Sequence, residues 1–284
     1  MSLPFVAMSQ TYVTDHALAS RLERAEGRAN VASVEARALA EPGIGAMWIE
    51  LDGTLAMFDG PGSPLTQTFG LGMFATPTPE AFDEIESFFS SRRADTMHET
   101  CPLADPALLR ILPDRGYRPI EQSTVLHQPL SIATHLEMQG DTHVRVRTTS
   151  AEESLLWATV GSRGWGDTPE LAQFMLDFGR IYARAERMVC FLAEWDGEPA
   201  AAAALSVQNG VALLAGASTI PEFRCRGLQT ALLHARLAYG ARVGCDLAMM
   251  GALPGSGSQR NAERRGFRIA YTRTKWALAG PRQH

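Results

Sequence analysis

Lysine is almost missing from this chain: of 26 basic residues only Lys275 is a lysine, a skew that reads as the coding bias of a GC-rich genome. Cysteine is sparse and scattered. Cys101, Cys190, Cys225 and Cys245 form no C-x-x-C pair, so neither a metal site nor a dithiol redox motif is expected. Four thiols in 284 residues also make a poor disulfide framework. No apolar run approaches the roughly 18 uncharged residues of a membrane-spanning helix. Met1–Tyr12 lacks the basic flank and continuous apolar stretch of a signal peptide. These absences point to a soluble, cytoplasmic protein without a membrane partner. Net positive charge is lacking too: the formal charge is −5, which argues against a nucleic-acid partner.

What is present is ample core material, with 45% hydrophobic residues in a chain long enough for two ordinary domains. The charge is uneven. Residues 1–140 hold 9 basic and 18 acidic side chains, whereas residues 141–284 hold 17 and 13. An anionic ligand is therefore expected in the second half only.

The chain resembles itself. Arg115-Gly116-Tyr117-Arg118 recurs as Arg265-Gly266-Phe267-Arg268, an offset of 150 residues, and the same offset carries helix-like 79–93 onto 229–243. A period this long denotes two copies of a domain rather than a solenoid. The boundary is expected near Met138–Asp141, giving domains 1–140 and 141–284.

In the second copy, strand and helix signals alternate. A strand over 143–147 precedes a capping box at Ser150 and Glu153, and Thr168-Pro169 starts a second helix with Leu171, Phe174, Met175 and Phe178 at helical spacing. Strands follow over 188–195, 199–207 and 211–219, joined by turns at Asp196-Gly197 and Asn209-Gly210. A helix over 227–242 has Leu228, Ala231, Leu232, Ala235 and Tyr239 on one face. Strand 247–253, helix 258–265 and strand 267–278 complete the copy. The fold class is α/β, with a mixed sheet in which an antiparallel meander ends in a strand–helix–strand crossover.

The informative segment is Pro221-Glu222-Phe223-Arg224-Cys225-Arg226-Gly227-Leu228-Gln229-Thr230, where a strand ends, a short basic loop follows and a helix begins. A helix N-terminus offers unpaired N–H groups and the positive end of the dipole to an anion. Gly227 removes the Cβ that would hold a phosphate off the backbone, and Arg224 and Arg226 add charge. It is neither a Walker A loop nor a G-x-G-x-x-G turn. The alternative is an ordinary strand–helix connection with solvated arginines.

This segment resembles motif A of the GNAT acyltransferases, R/Q-x-x-G-x-G/A, with Pro221-Glu222-Phe223 as its usual lead-in. Ser258 to Phe267 resembles motif B, closing on Arg264-Arg265-Gly266-Phe267. The resemblance implies two tandem GNAT-like domains, each a mostly antiparallel sheet flanked by helices with one splayed parallel strand pair. It implies acetyl-CoA as co-substrate, its pantetheine on Ala217, Ser218 and Thr219 and its pyrophosphate on Arg224, Cys225, Arg226, Gly227, Leu228, Gln229 and Thr230, with Asn261 nearby. Two positions depart from the pattern. Gln229 stands where Gly or Ala is usual, and Ala262 stands where many members carry a tyrosine that protonates the leaving thiolate.

The candidates for acid–base work are Glu194, Ser258 and Tyr271. Glu194 is a base acting directly or through water, or else an exposed hairpin carboxylate. Tyr271 substitutes for the missing tyrosine or is a packed core residue. Trp165 is a candidate wall of the acceptor site, or a loop aromatic packed on its own domain. At the position of the phosphate loop the first copy has Gly70–Pro77, with no arginine and with Pro77 in place of Gly227, so that copy is expected to hold no CoA. The first copy is expected either to wall the acceptor cleft, where its acidic surface would suit a cationic amine, or to stabilise the second domain through continued sheet pairing.

The expected activity is acetyl transfer from acetyl-CoA to a primary amine of a small molecule, by a monomer or homodimer. The alternatives are an inactive acetyl-CoA-binding sensor or scaffold, or a protein or peptide N-acetyltransferase.

Overall fold

The computed structural model describes residues 13–131, 142–165 and 168–278. The expected boundary at Met138–Asp141, the N-terminal Met1–Tyr12, and Gly166 and Asp167 beside Trp165 lie outside the described residues.

The chain opens with α1 (His16–Ala40), capped by the Asp15 carboxylate, which accepts from Leu18 N at 2.8 Å. Its eight alanines favour helix without marking a face, so the apolar periodicity that signals a surface helix is missing. The helix is instead buried on several sides, against strands of both halves.

The first half continues with β1 (Met47–Leu51), β2 (Thr54–Phe58), β3 (Gln67–Phe69), α2 (Pro79–Ser90), β4 (Met97–Thr100), α3 (Leu108–Asp114) and β5 (Tyr117–Pro129). The second half has β6 (Val144–Thr148), α4 (Ser154–Trp165), α5 (Pro169–Tyr182), β7 (Met188–Trp195), β8 (Glu198–Gln208), β9 (Val211–Thr219), α6 (Leu228–Arg242), β10 (Leu247–Ala252), α7 (Gly257–Arg264) and β11 (Arg268–Leu278). The 150-residue offset maps α2, β4, α3 and β5 onto α6, β10, α7 and β11. Each half also contains one parallel neighbour pair, β3 with β4 and β9 with β10.

All eleven described strands form one sheet in the order β1-β2-β3-β4-β11-β5-β10-β9-β8-β7-β6. The last strands change places. β11, from the second half, lies between β4 and β5, while β5, from the first half, pairs with β10 through Leu247↔Pro129 to Ala252↔Thr124. One hydrophobic cluster accordingly mixes Leu18, Phe82 and Val125 with Val211, Leu247 and Tyr271. None of the described helices is long and apolar enough to cross a membrane.

Candidate acyl-CoA cleft and adjoining pocket

β9 and β10 pair only at their beginnings, from Val211↔Leu247 to Leu213↔Met249. Beyond that, β9 departs because it is bulged. Its register with β8 jumps from Ala204↔Ala215 to Ala202↔Ser218, and Gly216 adopts φ 59°, a left-handed value that favours glycine.

Three side chains hold the bulge. Trp157 Nε1 donates to Ala203 O at 3.0 Å, Ser218 Oγ donates to Gly161 O at 2.9 Å, and Arg236 Nη1 reaches Ala204 O (3.2 Å) and Ala215 O (3.4 Å). Arg236 is 4% exposed on α6. Burial lowers its pKa to about 10, which leaves it cationic at neutral pH. Its presence changes the expected helix face: the buried stripe is Leu228, Leu232, Leu233, Arg236, Leu237 and Gly240, while Ala231, Ala235 and Tyr239 are only half-buried. At Gly240 a Cβ would stand 2.9 Å from that of Ala212, so glycine permits this close approach of helix to sheet.

After β9 the chain makes a 3-10 turn over Pro221–Phe223 and enters the basic loop. Arg224 bonds Thr219 O (3.4 Å) and Gly164 O (3.2 Å), and the Arg226 guanidinium lies over the rings of Trp195 and Phe223 at 5.0 and 5.3 Å. Cys225 (φ 63°) and Gly227 (φ 78°) curl the loop into α6. No side chain caps this helix and no acidic residue sits in its first turn. A Cβ on Gly227 would meet no protein atom within 4 Å, so the space it leaves clear is the cleft itself. Gln229 turns aside, donating from Nε2 to Thr219 Oγ1 at 2.8 Å.

The result is an open cleft of about 680 Å³. It is lined by Ala217, Ser218, Thr219, Arg224, Cys225, Arg226, Gly227, Leu228, Gln229, Thr230 and Asn261, the whole set expected to hold acetyl-CoA, together with Ser258. Phe223, Gly164 and Gly257 complete it; neither glycine stands out in the sequence. These residues fit an extended ligand bearing a phosphate group, because a bare helix end, two guanidinium groups and a strand edge without a partner face one space. Among the described residues the lining includes no Asp, Glu, His or Tyr.

The other two acid–base candidates lie elsewhere. Tyr271 is 6% exposed, and its hydroxyl donates to Glu23 Oε1 (2.9 Å) inside a cluster where Arg273 bonds Glu23 (2.7 Å) and Glu26 (2.6 Å). Burial and the Glu23 carboxylate push its pKa up, so the phenol stays protonated. Of its two readings, the packed core tyrosine is the one that matches this position. Glu194 is 7% exposed and accepts from Arg147 Nε at 2.7 Å, which corrects the reading of it as an exposed hairpin carboxylate. Ala262 packs into the core under α7, and that helix presents Ser258 and Asn261 to the cleft instead.

Trp165, 47% exposed, lines a second, separate hollow of about 210 Å³, with Trp157, Met175, Phe178, Tyr182 and Gly216 among its walls. Residues of the first half, Asn30 and Leu65, also line it. The expected acidic wall is not among the lining residues.

At the matching position of the first half the loop is packed shut. Leu71 and Met73 are buried, Gly72 O accepts from Asp105 N, and the Phe74 ring fills the space beside Gly53 and Gly70, where an added Cβ would meet it at 2.8 and 2.9 Å. A hollow beside Gly70 amounts to about 10 Å³. The N-terminus of α2 is capped by Thr78, which accepts from Ala81 N at 3.2 Å, and carries Glu80 in its first turn.

A sheet splayed at a parallel pair, with its gap leading onto a bare helix N-terminus, is the arrangement that the motif resemblance implied. Residues 153–267 match the model of the acetyltransferase (GNAT) family, so the chain carries a GNAT acetyltransferase domain. In fold it is similar to a GCN5-related N-acetyltransferase from Kribbella flavida (19% identity, TM-score 0.61, covering 89% of this chain and 97% of that one). It is also similar to a tandem GNAT protein from the clavulanic acid biosynthesis pathway (14% identity, TM-score 0.56, 80% and 79% covered). A GNAT-family protein from Novosphingobium aromaticivorans gives 17% identity and a TM-score of 0.52, covering 86% of this chain and 96% of that one. No curated protein matches the sequence significantly.

Proposed function

We propose that residues 141–284 form the catalytic domain of an enzyme that moves the acetyl group of acetyl-CoA to a primary amine of a small molecule, and that residues 1–140 are a degenerate copy that holds no CoA. The observation that carries this reading is the convergence of three features on one cleft: the bare N-terminus of α6, Arg224 with Arg226, and the partnerless edge of β9 at Ala217–Thr219. The capped, acid-bearing and packed equivalent in the first half supports the division of labour.

In this reading the N–H groups of Leu228–Thr230 and the two arginines hold the pyrophosphate, and the β9 edge aligns the pantetheine amides as an added strand would. Arg236 is a positioning residue, fixing the bulge that frees that edge. A neutral amine attacks the thioester carbonyl, an N–C bond forms and the C–S bond breaks. With no carboxylate or imidazole lining the cleft, the amine proton passes to water, and the departing thiolate is protonated by water or by the Ser258 hydroxyl. Free thiols at all four cysteines favour a reducing compartment, the cytoplasm.

The test is release of free CoA thiol with a panel of primary amines, and the mass of each product. Amine-dependent thiol release with a product heavier by one acetyl group is expected. Tight acetyl-CoA binding without transfer to any amine contradicts the enzyme reading and favours a sensor.

A further inference from the structure

The 210 Å³ hollow says what kind of amine the domain accepts, an inference that rests on the transferase reading. It adjoins the cleft. Ala215 and Gly216 line the hollow and the next residues on β9, Ala217 and Ser218, line the cleft. On α4, Gly161, Ser162 and Trp165 line the hollow and Gly164 lines the cleft, where a Cβ would come within 2.6 Å of Ser218 Oγ. The two spaces therefore lie on either side of a wall that β9 and α4 share, at Ala215–Ser218 and Gly161–Trp165.

The chemistry of the walls is apolar and aromatic. Phe174, Phe178 and Tyr182 stack along one face of α5, with ring centroids 6.2 and 5.5 Å apart. Phe174 is 40% exposed and Phe178 borders the hollow. Among the described residues no carboxylate lines it. Glu26, one turn before Asn30 on α1, is engaged by Arg273 at 2.6 Å and is not part of the wall.

One polar group stands out. Asn30 is 8% exposed and lines the hollow, and its side chain makes no hydrogen bond to a described residue. A ligand group in the hollow can therefore bond that amide. Ser162 is already committed to Thr159 O at 3.0 Å. In size the hollow exceeds the roughly 150 Å³ cavity that accepts a benzene ring and falls short of the roughly 300 Å³ at which drug-sized sites begin.

We propose that the acceptor is a primary amine carried on a compact aromatic body with a hydrogen-bonding substituent that meets Asn30, and that the first half of the chain selects it through Asn30 and Leu65. A polycation or a protein side chain gains neither the apolar burial nor a counter-charge here.

The experiment compares tyramine with 1,4-diaminobutane as acceptors for the full chain, alongside calorimetric titration with acetyl-CoA. Tyramine is expected to show kcat/KM at least about tenfold higher, the discrimination a shaped apolar pocket supplies. Trp165→Ala, at a half-exposed position that hollows no core, should raise KM for tyramine several-fold and leave the acetyl-CoA Kd unchanged. Asn30→Leu should reduce the preference for tyramine over 2-phenylethylamine. Equal or better use of 1,4-diaminobutane, or tyramine neither acetylated nor bound by the acetyl-CoA-loaded protein, overturns the acceptor assignment while the transferase reading stands. Failure to bind acetyl-CoA at all overturns that reading instead.

Discussion

Arg236 shows how one side chain sets the shape of a site that it does not line. Where the β8–β9 register shifts, a buried guanidinium donates to two strand carbonyls, Ala204 O and Ala215 O. Arg236→Met keeps the volume and removes those donors. Loss of the two charge-assisted bonds is expected to cost on the order of 2–3 kcal/mol. The expected outcome is a lower denaturation midpoint together with a higher Kd for acetyl-CoA, read by chemical denaturation and titration. A variant that lost stability but kept the wild-type Kd would show that the bulge survives without Arg236.

Two helix N-termini at equivalent places in the repeat differ in who satisfies their N–H groups. On α2 the Thr78 hydroxyl accepts from Ala81 N, and Glu80 adds a negative charge to the first turn; on α6 the groups are left to the cleft. Thr78→Ala should cost about 1 kcal/mol of stability and leave acetyl-CoA binding untouched. Gly227→Ala places a Cβ at φ 78°, a strain of about 1–2 kcal/mol, and points it into the cleft, so the Kd should rise as well. Equal Kd values for the two variants would argue against an anion site on α6. The loop, α6 and the hairpin turns were legible in the sequence because they are local: Gly227, the arginines, Asp196-Gly197 and Asn209-Gly210 fix backbone within a few residues. The ends of the meander strands were legible for the same reason. By contrast, α1 carries alanine in place of an apolar stripe, and the exchange of β5 and β11 depends on pairing between residues far apart in the chain, from Arg268↔His127 to Leu278↔Tyr117. The burial of Glu194 depends on Arg147, a strand away, and could not be read from the turn beside it. Gly216 within a strand pattern was a signal of the bulge that went unused.

At the scale of the molecule, the strand exchange makes the two halves one cooperative unit, since removing either half takes a strand out of the middle of the other's sheet. The Glu23–Arg273–Glu26 cluster ties α1 to the exchanged β11 across the same seam. His98 sits there too, on β4 opposite Trp276 of β11, fully buried with Thr68 Oγ1 at 2.8 Å from Nδ1. Burial, with the Arg115 charge in support, lowers its pKa from 6.5 to about 3. The native imidazole thus stays neutral where an unfolded one gains a proton. Its contribution is fully present above pH 6.5 and is lost as pH falls from 6.5 toward 3. His127, lowered by burial, acts in the same direction. Unfolding free energy measured in denaturant at a series of pH values should fall through this window in a single transition, and His98→Phe should flatten the slope without abolishing it. An unchanged slope would mean that His98 is protonated in the native protein.

The central claim, that one copy of the repeat keeps a phosphate cradle and the other has closed it, is tested most directly by calorimetric titration of acetyl-CoA into the full chain and into the Arg224→Ala, Arg226→Ala double variant. The account predicts one site per chain, with Kd raised at least about tenfold in the variant by the loss of charge-assisted contacts. Two sites per chain, or a single site indifferent to both arginines, would contradict it.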